Sequence, residues 1–278
     1  MSILSSAPKN LDELPIDNVY VIYGDAGTGK TVLASSFPKT EEKPMLYLDI
    51  LEGGTGSIPA KYKANIKPVE ITHYEQLDEI LTDVERGYTL DDSGAKVPIA
   101  YSTIVIDSGT QLEYLLKEYV KEKSGKTSMT LNLWGQVREE EDHLWNTIKA
   151  LHKKTGSYVV VICHKKEVTD ENNPDFNKTI PSLMNSEAYA LCARASFVWY
   201  TKIEVENIID PKTHAVTEAS KFMTYIDAHP YLLTKCRKPL GMSLPQKVKD
   251  LTFERFDTSV LSKLRGTPTS KASAGEKE

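Results

Sequence analysis

The chain has 278 residues, with 34 Lys+Arg against 39 Asp+Glu and a formal net charge of −5. Hydrophobic residues make up 40% and charged residues 26%, a globular profile that excludes collagen-like, mucin-like and broadly disordered chains. The mild acidity argues against a protein that coats DNA by bulk charge, while leaving room for local basic patches.

Residues 1–16 read as a lead-in. Residues 19–23 form a short apolar run ending at Gly24, the pattern of a buried strand entering a turn. Residues 30–37 read as a helix stopped by Pro38, and 45–49 as a second buried strand. Thr72 and Glu75 form a capping box that opens a helix with Leu77, Ile80, Leu81 and Val84 on its apolar face. A third strand spans 103–107, followed by a helix through Leu112, Leu115, Leu116 and Val120. A helix over 136–153 carries Val137, Leu144, Ile148 and Leu151, and 157–163 is a fourth strand. Residues 197–206, 222–227 and 231–236 read as strands joined by short turns, partly antiparallel. The alternation over the first 165 residues predicts an α/β fold, a mostly parallel twisted sheet flanked by helices on both faces. The later strands extend it, antiparallel near the C-terminus. One core over 17–262 and a disordered tail over 263–278 are expected.

No apolar stretch near the N-terminus suits a secretory signal. The longest apolar runs, such as 158–163, fall far short of the roughly 20 residues of a membrane helix. Cys163, Cys192 and Cys236 are scattered, with no CxxC and no zinc spacing. Free thiols, a cytoplasmic location and no membrane partner are expected, with Cys163 a buried structural thiol.

The strongest signal is Gly24-Asp25-Ala26-Gly27-Thr28-Gly29-Lys30-Thr31, followed by Val32, which fits G-x-x-x-x-G-K-[ST]. It follows a buried strand and opens a helix. Its glycines let backbone N–H groups wrap round phosphates at a helix N-terminus. Lys30 is placed to reach the β- and γ-phosphates, and Thr31 to bind Mg²⁺ through its hydroxyl. The competing reading is a glycine-rich turn with a chance Lys-Thr. Thr103-Ile-Val-Ile-Asp107-Ser108 supplies the second half, an apolar strand ending in an acid. Ligands of such sheets bind at the carboxyl ends of the strands, so Asp107 is the second expected metal residue.

With these motifs the chain resembles the RecA-like P-loop ATPases, and more closely the phage-encoded nucleotide-binding proteins that are RecA-like recombinases reduced to the ATPase core. The matching pieces lie at 22–38, at Leu48-Asp-Ile-Leu-Glu-Gly-Gly54, at Val161-Ile-Cys-His164 and at Lys235-Cys-Arg237. The resemblance implies a glutamate after the second strand that polarises the attacking water. Glu52 and Asp49 are the candidates, spaced one residue wider than the usual pair, and Gly53-Gly54 favours Glu52. It implies that His164 senses the γ-phosphate, with a satisfied structural histidine as the competing reading. It also implies that Lys235 and Arg237 reach a neighbouring subunit's γ-phosphate, against a solvated strand end.

In such recombinases two loops face DNA. The matching segments are 122–135, with Lys123, Lys126 and Trp134, and 165–186, with Lys165, Lys166 and Phe176. Trp134 and Phe176 are candidate base stackers, with core packing the alternative for Trp134. Residues 231–249 carry five Lys/Arg and no acid, the best local basic stretch. The reading is an ATP- and Mg²⁺-dependent recombinase that binds single-stranded DNA and promotes annealing or strand exchange. A homo-oligomer with ATP between subunits is expected, with a single-strand-binding protein as a further partner. A helicase-type or packaging motor of the same fold and a non-motor ATP-binding adaptor are the alternatives.

Overall fold

Val19, Val21 and Tyr23 point into one apolar layer and Tyr20 and Ile22 into the other, so the first strand is buried on both faces. That is the environment of a central strand in a parallel sheet. The computed structural model describes residues 17–170, 173–209, 216–239 and 241–265. The elements run β1 (Val19–Gly24), α1 (Lys30–Ser35), β2 (Met45–Ile50), α2 (Ala60–Lys63), β3 (Ile66–Ile71), α3 (Tyr74–Arg86), β4 (Tyr88–Leu90), β5 (Lys96–Pro98) and β6 (Thr103–Asp107). Then come α4 (Gly109–Ser124), α5 (Leu131–Thr155), β7 (Tyr158–Asp170), β8 (Asn173–Pro181), α6 (Asn185–Arg194), β9 (Phe197–Ile209), β10 (Val216–Tyr225), β11 (Lys235–Cys236), β12 (Lys247–Lys249) and α7 (Phe253–Phe256).

The main sheet is ordered β12-β10-β9-β1-β7-β6-β2-β3, with β8 on β7 and β11 on β9. From β9 to β3 every pairing is parallel. β10 and β12 continue it antiparallel. This is the expected α/β P-loop architecture. Helices α3 to α6 cover one face. On the other, α1 packs with the helical turns that follow β12 around Tyr20, Phe37, Phe197, Trp199 and Phe256. The Tyr20 ring stacks on Phe197 at 4.7 Å and meets Phe37 edge-on at 4.9 Å. Each such buried ring is worth roughly 1.5–3 kcal/mol of apolar burial. Among the described residues no helix is long and apolar enough to cross a membrane.

Register brings the functional strand ends together. Gly24 of β1 lies beside His164 of β7, and Asp107 of β6 beside Asp49 of β2. One strand, β7, separates the P-loop strand from the Asp107 strand. The chain leaves β1 and crosses β7 and β6 to reach β2, which opens a crevice at the carboxyl ends.

Several sequence expectations shift. The cap of α3 is His73, whose backbone N–H donates to Gln76 Oε1 at 3.2 Å, and Thr72 N donates to the same oxygen at 2.9 Å. The box therefore sits one residue later than Thr72/Glu75. β3 is an additional parallel edge strand, so the 103–107 strand is fourth in chain order among the parallel ones. α5 begins at Leu131, capped by Thr130 Oγ1, which accepts from Leu133 N at 3.4 Å. That shortens the 122–135 loop to a link between two helices. The 165–186 segment is no loop either: β7 runs on into a hairpin with β8, followed by α6. The last helical turn reaches Leu264. Residues 1–16 and 266–278, the expected lead-in and most of the expected tail, lie outside the described residues.

Candidate nucleotide site

The P-loop folds as its composition demands. Gly29 has φ 85°, a left-handed conformation open to glycine, and hands the chain into α1. Asp25, Ala26 and Gly27 form the exposed rim, while Thr28 is buried. Thr28 Oγ1 donates to Asp25 O at 2.8 Å and lies 2.7 Å from Thr201 Oγ1 on β9. Lys30 is buried, and its ammonium donates to Gly24 O at 3.1 Å and Asp25 O at 2.7 Å. Burial pulls the Lys30 pKa below its usual value, against the opposing charges of Asp107 and Glu52. An arriving phosphate would offer this desolvated ammonium a stronger partner than two carbonyls.

Opposite the loop, Thr31 Oγ1 donates to Asp107 Oδ2 at 3.1 Å. The Tyr47 hydroxyl donates to the same oxygen. Burial raises the Asp107 pKa above the usual carboxylate value, and these two hydrogen bonds work the other way. A Cβ at Gly54 would stand 3.0 Å from Asp107 Oδ2 and 3.4 Å from Thr31 Oγ1, so glycine keeps this corner open. Among the described residues no group of three or more His, Cys, Asp or Glu could hold a metal by itself. Two hard oxygens beside a phosphate loop are nevertheless the donor set that suits Mg²⁺, which takes its other ligands from phosphates and water.

The two acids at the carboxyl end of β2 separate by role. Asp49 Oδ1 accepts from Glu52 N at 3.3 Å and from Gly53 N at 2.9 Å, capping the turn. Within that turn Leu51 has φ 58°, a left-handed conformation that costs a side-chain-bearing residue on the order of 1 kcal/mol. The turn carries Glu52 into the pocket. Glu52 Oε1 accepts from Ser108 Oγ at 2.8 Å and lies 2.9 Å from His164 Nε2. Burial pushes the Glu52 carboxyl up, but hydrogen bonds from Ser108 and His164 outweigh it and hold the group below the usual glutamate value. His164 N donates to Thr110 Oγ1 at 3.0 Å. Lys30, Thr31, Glu52, Asp107, Ser108 and His164 thus line one cavity of about 310 Å³, with Gly29 and Val32 in its wall.

A second cavity of about 230 Å³ adjoins it across Gly29, Val32 and Phe222. Its walls include Tyr62, Thr224, Asp250 and Thr252. Sequence reasoning named Ser108 in the 103–108 motif without giving it a role, and missed Tyr47, Tyr62 and Phe222. Only a hydroxyl inside the apolar run 45–50 hinted at Tyr47.

The remaining candidates lie elsewhere. Lys235 and Cys236 pair with Val198 and Phe197 at the start of β9, at the end of the strands opposite the P-loop. Lys235 Nζ donates to the carbonyls of Cys192, Ala193 and Ala195 at 3.0, 2.9 and 2.7 Å, closing the C-terminus of α6. Arg237 donates to Ala193 O at 3.1 Å and pairs with Asp17 at 3.6 Å. Lys165 pairs with Asp25 of the P-loop at 3.1 Å, and Lys166 donates to Leu183 O. Lys123 and Lys126 are exposed, with Lys123 bonded to Tyr119. Trp134 is 36% exposed under the Lys117 ammonium, not in the core. The Phe176 side chain lies outside the described residues. The basic stretch 231–249 is largely neutralised: Lys238 pairs with Asp227, Lys247 with Glu204 and Lys249 with Asp250. Cys163 is fully buried, and burial raises its pKa well above the usual thiol value.

No curated protein matches the sequence. Residues 16–235 match the family model described as an AAA domain. That span takes in the P-loop, Glu52, Asp107, Ser108 and His164, so the match and the geometry concern the same site. The chain belongs to the AAA domain family and carries a P-loop nucleotide-binding ATPase domain.

Proposed function

We propose that the chain hydrolyses Mg-ATP and uses the state of the nucleotide to control a recombinase activity, annealing or strand exchange, on single-stranded DNA. The observation that carries the reading is the Glu52–His164 contact of 2.9 Å, made inside the P-loop cavity and at the root of the β7–β8 hairpin. The P-loop holds the phosphates, with Lys30 leaving its two carbonyls for them. Thr31 and Asp107 would hold magnesium, which would supply neutralisation of the phosphate charge. The second cavity takes the base between Tyr62 and Phe222. Glu52, kept ionised, orients and accepts a proton from the attacking water.

His164 then acts as the sensor. A γ-phosphate competes with Glu52 for its Nε2, and any shift is passed directly to the hairpin that continues β7. The hairpin and the exposed Lys123 and Lys126 form the DNA-facing side of this reading. Lys165, Lys166 and the 231–249 cations have partners within the chain, so Lys123 and Lys126 are the candidate cations left for phosphate contacts. Ile203, Val205 and Phe222 expose an apolar strip beside the nucleotide cavities, which a second copy in a homo-oligomer would cover. Lys235 and Arg237 would have to give up their α6 contacts to serve a neighbour's γ-phosphate.

ATP turnover with and without single-stranded DNA tests the reading. DNA is expected to raise turnover several-fold, and removal of Mg²⁺ to abolish it. Turnover indifferent to DNA removes the recombinase and leaves the ATPase. Directional translocation gives the motor instead, and tight ATP binding without turnover gives the adaptor.

A further inference from the structure

Ser108 lies between the strand that ends in Asp107 and the helix α4, and its hydroxyl does two things at once. It accepts from Gln111 N at 3.2 Å, which caps α4, and it donates to Glu52 Oε1 at 2.8 Å. The direction of the second bond follows from the chemistry of the partners. An ionised carboxylate has no hydrogen to give, and the backbone N–H already occupies an acceptor site on the Ser108 oxygen. The hydroxyl hydrogen therefore points at Glu52. Ser108 is 1% exposed, so water does not compete freely for that hydrogen.

The rest of the first turn of α4 is built to the same end. Thr110 Oγ1 accepts from His164 N at 3.0 Å, which fixes the backbone of the other group that holds Glu52. A Cβ at position 109 would stand 3.0 Å from both Cys163 Sγ and Val161 Cγ1, so glycine lets the turn sit directly on β7. One turn, 108–111, thus braces both Glu52 and His164 from the side opposite the P-loop.

We propose that Ser108 is a positioning residue, whose hydroxyl holds the Glu52 carboxylate in place for water activation while capping α4. This rests on the reading of the site as an ATP-hydrolysing one. The placement matters because a misaligned base loses rate steeply while leaving the rest of the site intact. Ser108 itself need touch neither nucleotide nor water.

Ser108→Gly is the informative variant. Glycine is nearly as well tolerated as serine at an N-cap, so the helix stays capped in effect while the hydroxyl is lost. Ser108→Thr keeps the hydroxyl. The expected result is a drop of tenfold or more in kcat for Ser108→Gly with KM for ATP within about threefold of the parent, and recovery to within about threefold in Ser108→Thr. Parental kcat in Ser108→Gly, or equal loss in both variants, overturns the proposal and leaves Ser108 as a cap. A crystal structure of Ser108→Gly gives a readout that does not depend on turnover. Displacement of Glu52 Oε1 from His164 Nε2 is expected, and an unmoved carboxylate overturns the proposal. If the parent protein itself turns over no ATP, the proposed function fails, while the crystal structure still decides whether Ser108 places Glu52.

Discussion

Two partly or fully buried glutamates in this protein have opposite fates. Glu52 lies in the P-loop cavity, and its side chain is 21% exposed. Burial raises it, yet Ser108 and His164 aim donors at one oxygen and the net effect lowers its pKa. Glu141 lies where α4, α5 and α6 meet and is 1% exposed. Neither of its oxygens has a hydrogen-bond partner among the described residues. Burial, then the charges of Glu113 and Glu187, push it up to about 9, with Lys117 pulling weakly the other way. The contrast teaches that burial alone does not decide a carboxyl's charge. Directed donors do. Glu52 keeps its charge, whereas Glu141 keeps its proton and behaves as packing.

The largest effect that separates the two regions comes from Lys30→Ala. It should weaken ATP binding by 100-fold or more, read by titration calorimetry. Glu141→Gln should leave ATP binding unchanged and alter the pH dependence of unfolding. In the unfolded chain Glu141 titrates near the ordinary value of about 4.3, and in the folded chain near about 9. Between these values the folded state holds more protons. The stability contributed by this group is therefore complete below the lower value and is lost as pH rises through the upper one. Melting temperature should fall from pH 6 to pH 9, with Glu113, Glu187, Lys117 and Arg138 as the charged neighbours. Glu141→Gln should flatten that fall and gain on the order of 2 kcal/mol at pH 8, several degrees in melting temperature.

Lys235→Met comes next, with a cost of about 1–3 kcal/mol from the stranded carbonyls of α6. Denaturant midpoints would show it, and an unchanged midpoint would remove the capping role. The smallest effect is Tyr47→Phe. Losing one donor to Asp107 should cost about 1 kcal/mol of stability and change ATP turnover by no more than a few-fold.

What could be read from sequence divides along the same line. The P-loop was legible because its requirement is local: glycines, Lys30 and Thr31 at fixed spacing after an apolar strand. The parallel sheet was legible from doubly buried runs such as 19–23 and 103–107. Ser108 was not, because its role depends on Glu52, 56 residues away. The β7–β8 hairpin was hidden by its polar composition, although Lys166 and Ile180 face one another in register within it. The basic stretch 231–249 misled for a similar reason. Its partners Asp227 and Glu204 lie outside the stretch and meet it only in the fold. Local chemistry announces itself in sequence, whereas neutralisation and positioning by distant residues do not.

The central claim is that Glu52 is the ionised group that activates water in a competent nucleotide site. Phosphate release from Mg-ATP under single turnover by Glu52→Gln, with ATP affinity measured on the same protein, tests it most directly. The account predicts a rate lower by on the order of 10²–10⁴-fold with ATP affinity within a few-fold of the parent. Release at the parental rate by Glu52→Gln would contradict it.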